Sequence, residues 1–200
     1  MCIRDSLSAV GILILYFFVN TLSAALCLLA SVLYVFLYTP LKQYSPIALF
    51  VGAIPGAIPP LVGWVSVTNE IGFWGVILFA ILFVWQLPHF LAIAIFHAKD
   101  YEKAGIKILP NVLGIHATKI RIFLYTFLLV AISLVPVYTE RSQENLYLYL
   151  TLIFGGGFIA LAFRGLMIKS TSMELNWSRT YFWTTLIYLP VQLCVLIVYG

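Results

Sequence analysis

The sequence predicts an all-α membrane protein, a polytopic bundle of transmembrane helices. Of its 200 residues 63% are hydrophobic and only 9% are charged, and the mean hydropathy is +1.06, whereas about a quarter of the residues in a soluble domain are charged. The apolar runs are long and unbroken, as a helix crossing about 30 Å of hydrocarbon requires, and they lack the alternation of barrel strands. A soluble domain is therefore excluded.

The charge balance and the cysteines point to no other class. The net charge of +4 is what topology signals alone give a membrane protein, so no nucleic-acid partner is expected. The three cysteines are scattered along the chain and form neither a disulfide framework nor a zinc pattern.

Seven apolar segments are predicted to span the membrane, and the first of them is short. Asn20 and Thr21 should make a tight turn after it, and the prolines of residues 39–46 predict a polar connection, because proline cannot continue a helix. The predicted spans are residues 7–19, 22–38, 47–67, 73–96, 120–137, 146–165 and 180–199.

The third segment is rich in proline and glycine, which predicts a kinked helix with close backbone approach. Two explanations remain open for this composition. Small residues either pack a neighbouring helix closely or allow a bend that opens a pocket.

The basic residues predict the orientation. If the spans alternate, most of the lysines and arginines fall on one side of the membrane, and Arg141 alone falls on the other. By the positive-inside rule the lysine-rich side is cytoplasmic. The residues of that side are Lys42, Lys99, Lys103, Lys107, Lys119, Arg121, Lys169 and Arg179, and Arg164 lies close to it.

A charged stretch at residues 97–110 is the candidate functional site, because ionisable groups are rare in such a protein unless they lie at an interface or line a wet cavity. It holds Lys99, Asp100, Glu102, Lys103 and Lys107. A carboxylate among lysines suits a magnesium-bridged polyphosphate. The alternative is that the lysines, spaced by four, form a solvated helical face, although the topology rule does not require Asp100.

The end of that stretch and the span before it carry further candidates. Gly105 and Pro110 predict a structured loop rather than a continuous helix. His89, which follows Pro88, is either a hydrogen-bonded core residue or a ligand to a metal or polar group. The aromatic residues nearby belong to the interface and core, or a subset lines a cavity and stabilises a carbocation. They are Tyr38, Trp64, Trp85, Phe90 and Tyr101.

Four segments, taken in order, resemble a known family. They are Tyr-Thr-Pro-Leu-Lys at 38–42, the Gly/Pro-rich 52–64, Trp-Gln-Leu-Pro-His-Phe at 85–90, and Asp-Tyr-Glu-Lys-Ala-Gly at 100–105, which continues to residue 110. Together they are similar to the protohaem IX farnesyltransferases (haem O synthases), which belong to the UbiA superfamily of intramembrane prenyltransferases.

The resemblance implies a bundle of nine helices in which Mg²⁺ holds farnesyl diphosphate at cytoplasmic loops of the inner membrane. The farnesyl group is transferred to a vinyl group of haem B, giving haem O. Asp100 would bind the metal, and Lys42 would act with it in catalysis. Further substrate contacts would come from Lys99, Lys103, Tyr101, His89 and Trp64. Membrane lipid surrounds such an enzyme, and haem A synthase or the terminal oxidase assembly are the expected protein partners.

The sequence departs from the family pattern in two places. The first Asn/Asp-rich motif of the family does not occur before Tyr38, so we expect one domain over residues 1–200 that lacks its N-terminal part and two helices. Ala104 stands where many relatives that act on aromatic rings carry another aspartate, which favours the haem-modifying branch.

Two alternatives stay open at this stage. One is prenylation of a quinone or another aromatic precursor. The other is a transporter without catalysis, which would predict internal repeats and polar residues at the middle of the membrane. Prenyl transfer should depend on Mg²⁺ and on Asp100, and transport should be indifferent to both.

Overall fold

The computed structural model describes residues 2–138 and 144–199, and these are helical with no strand among them. The helices are α1 (Cys2–Phe18), α2 (Thr21–Val32), α3 (Thr39–Tyr44), α4 (Ala48–Thr68), α5 (Phe73–Phe96), α6 (Ala98–Lys103), α7 (Leu109–Leu113), α8 (Ile115–Leu134), α9 (Glu144–Met167) and α10 (Thr171–Tyr199). A π-helical segment, Leu33–Tyr38, joins α2 to α3, and a 3₁₀ turn, Val135–Tyr138, follows α8. The predicted all-α class is confirmed.

Six helical stretches among the described residues are long and apolar enough to cross a membrane. They match the second to seventh predicted spans. The first predicted span forms the shorter apolar helix Ser6–Phe18, so the predicted count of seven is one more than the helices of sufficient length. The loop that contains Arg141 lies outside the described residues.

The polar connection predicted at residues 39–46 is wrong, because the helix continues from Thr21 to Tyr44. Pro40 lies in the first turn of α3, where a missing N–H is tolerated. The preceding turns are π-helical, and the Thr39 N–H and hydroxyl both donate to the Tyr34 carbonyl, the hydroxyl at 2.9 Å. The wider π turn thus provides the register that lets a proline follow without ending the helix.

The chain divides into two compact units, Met1–Phe83 and Val84–Gly200, and the division falls within α5. In the first unit, Asn20 caps α2 by accepting from the Ser23 N–H at 2.7 Å, and its amide donates to the Val65 carbonyl at 2.9 Å. The predicted turn at Asn20 is confirmed, and it ties the start of α2 to the last turns of α4.

Close packing explains at least one glycine of α4. A Cβ placed on Gly52 would lie 2.7 Å from the ring of Tyr38, which is closer than packed carbon atoms come. The first of the two explanations for the Gly/Pro-rich segment, close approach of a neighbouring helix, therefore holds at this position.

The second unit is built on α8, α9 and α10, whose core combines apolar side chains with hydrogen bonds between polar side chains of different helices. The Tyr147 hydroxyl donates to the Ser133 carbonyl at 2.6 Å, and the Gln192 amide reaches the Thr151 hydroxyl at 3.2 Å. Tyr181 is fully buried and shares a hydrogen bond of 2.5 Å with Thr126. Hydrogen bonds between helices replace the hydrophobic drive that lipid does not provide.

Candidate active site

The charged stretch begins where α5 ends. His97 leaves the helix (φ −106°, ψ 13°) and precedes α6, and its carbonyl accepts the N–H groups of Asp100 and Tyr101 at 3.0 and 3.1 Å. Asp100 therefore lies in the first turn of α6, where the helix dipole favours a negative charge.

The carboxylate of Asp100 is 71% exposed, and its Oδ2 lies 3.1 Å from Nδ1 of His97. The His97 ring is 50% exposed. An exposed pair of this kind contributes little to stability, and the second carboxylate oxygen is open to a ligand. Sequence reasoning placed His97 at the start of the candidate stretch but gave it no role, although its spacing of three from Asp100 was an available signal.

A structured loop follows α6, as predicted. Gly105 adopts φ +69° and ends the helix. The Ile106 N–H donates to the Tyr101 carbonyl, and the Gly105 N–H to the Glu102 carbonyl, each at 3.0 Å, which is the Schellman arrangement. The Asn111 side chain then donates to the Ala98 carbonyl at 3.0 Å. These bonds hold the loop around Asp100 in one conformation.

The three lysines of the stretch are exposed, and two of them lie on α6. Lys99 and Lys103 are four residues apart on the helix, whereas Lys107 follows Gly105 in the loop. The expected helical face of three lysines is therefore wrong for Lys107, because the left-handed glycine interrupts the helix before it. Tyr101, between the two helical lysines, is half-buried.

Lys42 and Trp64 belong to the first unit. Lys42 is exposed in the last turn of α3, with its Nζ 5.8 Å from the centre of the Tyr38 ring. Trp64 lies 16 residues after the start of α4, about 24 Å along the helix axis at 1.5 Å per residue. Its indole nitrogen is enclosed and has no hydrogen-bond partner within residues 2–138 and 144–199. Trp64 therefore lies toward the end of α4, away from the junction of α3 and α4 that follows Lys42.

His89 lies in α5, eight residues before His97, which is about 12 Å along the helix axis. It is buried, with 8% of its surface exposed. The rings of Trp85 and Phe182 stack on the imidazole at centroid distances of 4.7 and 4.9 Å. Nδ1 lies 2.6 Å from the Thr185 hydroxyl, and the Trp85 indole donates to the Thr185 carbonyl at 2.9 Å. Sequence reasoning did not find Thr185, which is 96 residues away.

The donor set of the charged stretch fits a metal that is shared with a ligand. Within the described residues there is no group of three or more histidine, cysteine, aspartate or glutamate side chains close enough to hold an ion. Mg²⁺ takes one or two carboxylates and fills its octahedral shell with water and phosphate oxygens, and Asp100 can provide one such carboxylate. The fit is therefore to a metal–diphosphate complex rather than to a bare ion.

Six membrane-length helices among the described residues define a multi-pass membrane protein, and an exposed acidic and basic cluster follows the end of one of them. A sequence profile of the UbiA prenyltransferase family matches residues 6–194, and the chain belongs to this family. Family members generally hold the diphosphate of their substrate through a divalent metal.

Among similar proteins, three are named protoheme IX farnesyltransferase. The one from Sorangium cellulosum is 39% identical over 193 residues, that from Anaeromyxobacter dehalogenans 42% over 183, and that from Myxococcus xanthus 39% over 184. The alignments cover 96%, 92% and 92% of this chain. The chain spans 68%, 60% and 61% of the three relatives. No solved structure matches it.

Proposed function

We propose that this protein transfers a farnesyl group from farnesyl diphosphate to a vinyl group of haem B and so forms haem O. The names of the relatives support the two substrates. The observation that carries the proposal is the exposed carboxylate of Asp100, held in the first turn of α6 between two exposed lysines. A diphosphate needs this combination of a metal-binding oxygen and cationic side chains.

The reaction breaks the bond between the allylic carbon and the diphosphate oxygen, and the diphosphate leaves with the electron pair. The farnesyl carbon then bonds to the terminal carbon of a haem vinyl group, water adds at the other vinyl carbon, and a proton is released. Asp100 would hold Mg²⁺, which would supply positive charge to the leaving diphosphate. Lys42, Lys99 and Lys103 bind phosphate oxygens as point charges.

The remaining site residues serve the organic parts of the substrates in this proposal. Tyr101, half-buried beside Asp100, covers the first carbons of the isoprenoid. His89 and Trp64 face haem B, and the unpaired indole N–H of Trp64 is a donor for one of its polar groups. The stretch from 6 to 194 acts as one prenyltransferase domain, since the family profile covers both compact units.

The positive-inside rule supports an orientation in which α3 and α6 end on the cytoplasmic side of the inner membrane. The proposed diphosphate-binding residues at the ends of both helices then face the compartment that supplies farnesyl diphosphate. Haem O leaves within the membrane, where haem A synthase or the terminal oxidase assembly would receive it.

The test is pigment analysis of membranes that contain haem B, farnesyl diphosphate and Mg²⁺. Two proteins are compared: this chain, and a chimera that adds the part of the Sorangium cellulosum relative not aligned with it. Formation of haem O by either supports the proposal, and the chimera shows whether the added part is required. Absence of haem O from both, with a prenylated quinone formed instead, would overturn the choice of acceptor.

A further inference from the structure

The hydrogen bonds of Thr185 determine which nitrogen of His89 carries the proton. The Thr185 hydroxyl has one proton, and it donates that proton to the Phe182 carbonyl at 2.5 Å. The same oxygen lies 2.6 Å from Nδ1 of His89, and with its own proton donated to the Phe182 carbonyl it accepts from Nδ1–H. In the neutral imidazole the lone pair is then on Nε2.

Nothing in the described residues uses that lone pair. Nε2 has no hydrogen-bond partner within residues 2–138 and 144–199, and it is absent from the fully enclosed side-chain atoms that lack one. A histidine whose role is only to fill a core normally has both nitrogens satisfied. Here one nitrogen is fixed and the other is left open.

The surroundings hold the ring as a metal ligand is held. Stacking of Trp85 and Phe182 at interplanar angles of 20° and 30° fixes the plane of the imidazole. The Trp85 bond to the Thr185 carbonyl at 2.9 Å fixes the position of the hydroxyl. A ligating histidine typically donates its other N–H to such a partner, which orients the ring and raises its basicity.

The metal must bring its own ligands. No cluster of three histidine, cysteine, aspartate or glutamate side chains exists among the described residues, so His89 cannot belong to a protein cage for a bare ion. A tetrapyrrole iron already has four nitrogen ligands and needs only an axial one, which is most often histidine.

We infer that His89 binds the iron of the haem substrate through Nε2, with Thr185 as the positioning residue that sets its tautomer. This inference rests on the proposed function for the identity of the haem. It places the iron about 12 Å along the axis of α5 from His97, deeper in the membrane than the diphosphate site. Iron ligation would fix the depth of the iron in the membrane and the plane of the macrocycle.

The test is a titration of the purified chain with haemin, followed by its Soret band and by the iron–histidine stretching vibration of the reduced complex. Replacement of His89 by glycine should lower haem affinity at least tenfold and abolish that vibration, and added imidazole should restore both. The matched control is His116→Ala, since His116 is exposed and the chain has only three histidines. It should bind as the unmodified chain does.

Variants of Thr185 show whether this residue orients His89 or only packs against it. Thr185→Val keeps the shape but removes the acceptor, and loss of such an outer partner typically costs about 10- to 100-fold in affinity. Thr185→Ser should restore the affinity and the vibration.

An unchanged vibration in His89→Gly, or no haem binding by the unmodified chain, would overturn the inference. If haem O forms but the iron has no histidine ligand, the inference about His89 is wrong and the proposed function stands. If histidine binds the iron but no form of the protein makes haem O, the proposed function is wrong and the haem-binding site stands.

Discussion

Two pairs of a basic and an acidic side chain in the second unit differ in burial, and the difference separates an exposed candidate site from a buried structural contact. The His97–Asp100 pair at the start of α6 has side chains that are 50% and 71% exposed, at 3.1 Å. The Lys119–Glu174 pair joins α8 to α10 at 2.7 Å, with side chains 2% and 12% exposed.

The two pairs also differ in how many hydrogen-bonding atoms they leave free to bind a ligand. The ammonium of Lys119 donates to Glu174 and to the Ile168 carbonyl at 2.6 Å, so that two of its three protons are used inside the protein. Asp100 engages one oxygen and keeps the other in the open. A charge in an apolar chain is therefore a functional candidate only where folding leaves it unsaturated.

The largest effect is expected from Lys119→Met. Removing one partner of a buried ion pair leaves an uncompensated charge and typically costs about 3–5 kcal/mol. We expect this loss in the free energy of unfolding, measured by denaturing-detergent titration.

Two controls sharpen that prediction. Lys107→Met, at an exposed lysine, should stay within about 0.5 kcal/mol. Adding Glu174→Leu to Lys119→Met should recover much of the loss, since no charge is then left buried. Equal stability of the two lysine variants would show that the buried Lys119–Glu174 pair does not stabilise the fold.

Asp100→Asn tests the open pair. Loss of one group that stabilises transition-state charge typically costs about 10²–10³ in rate, so haem O formation should fall by that factor while stability is unchanged. Glu102→Gln, at a neighbouring exposed carboxylate, is the matched control and should keep the rate within about threefold. Similar losses in the two variants would remove Asp100 from its proposed role.

Gly165→Ala examines close packing in the same unit. A Cβ at Gly165 would overlap the Trp177 ring, whose indole donates to the Leu161 carbonyl at 2.9 Å. Overpacking of this kind costs about 1–3 kcal/mol. Gly157, with nothing within 4 Å of such a Cβ, should accept alanine with no loss. Thermal unfolding in detergent compares the two variants.

The smallest effect is expected from His97→Gln. An exposed ion pair is worth about 0.2–1 kcal/mol, so weaker orientation of Asp100 should raise the KM for farnesyl diphosphate by no more than about fivefold. The steady-state KM and kcat of the variant check this. A loss as large as that of Asp100→Asn would instead make His97 a direct ligand.

The pattern of apolar and polar residues along the sequence predicted where the long helices lie, but it did not predict every point where one helix ends and the next begins. The fourth span agrees with α5 at both ends, because a turn precedes Phe73 and a charge cluster follows Phe96. The continuation of the helix through Pro40 was not predicted. It follows a π-helical segment, and the residue types of that segment do not reveal its hydrogen-bond pattern. Similarly, residues 171–176 lie before the predicted seventh span of 180–199 but form the start of α10, where Glu174 pairs with Lys119.

By itself, the sequence determined the helical membrane class, most span boundaries and the family resemblance. These follow from apolar run length and from short motifs, which depend only on neighbouring residues. Tertiary structure decided that Lys119 is a buried charge paired with Glu174 and that Asp100 is exposed. It also placed the Thr185 hydroxyl 2.6 Å from Nδ1 of His89, a residue 96 positions away in the chain. Burial and long-range hydrogen bonds depend on which helices pack together, and no local pattern contains that information.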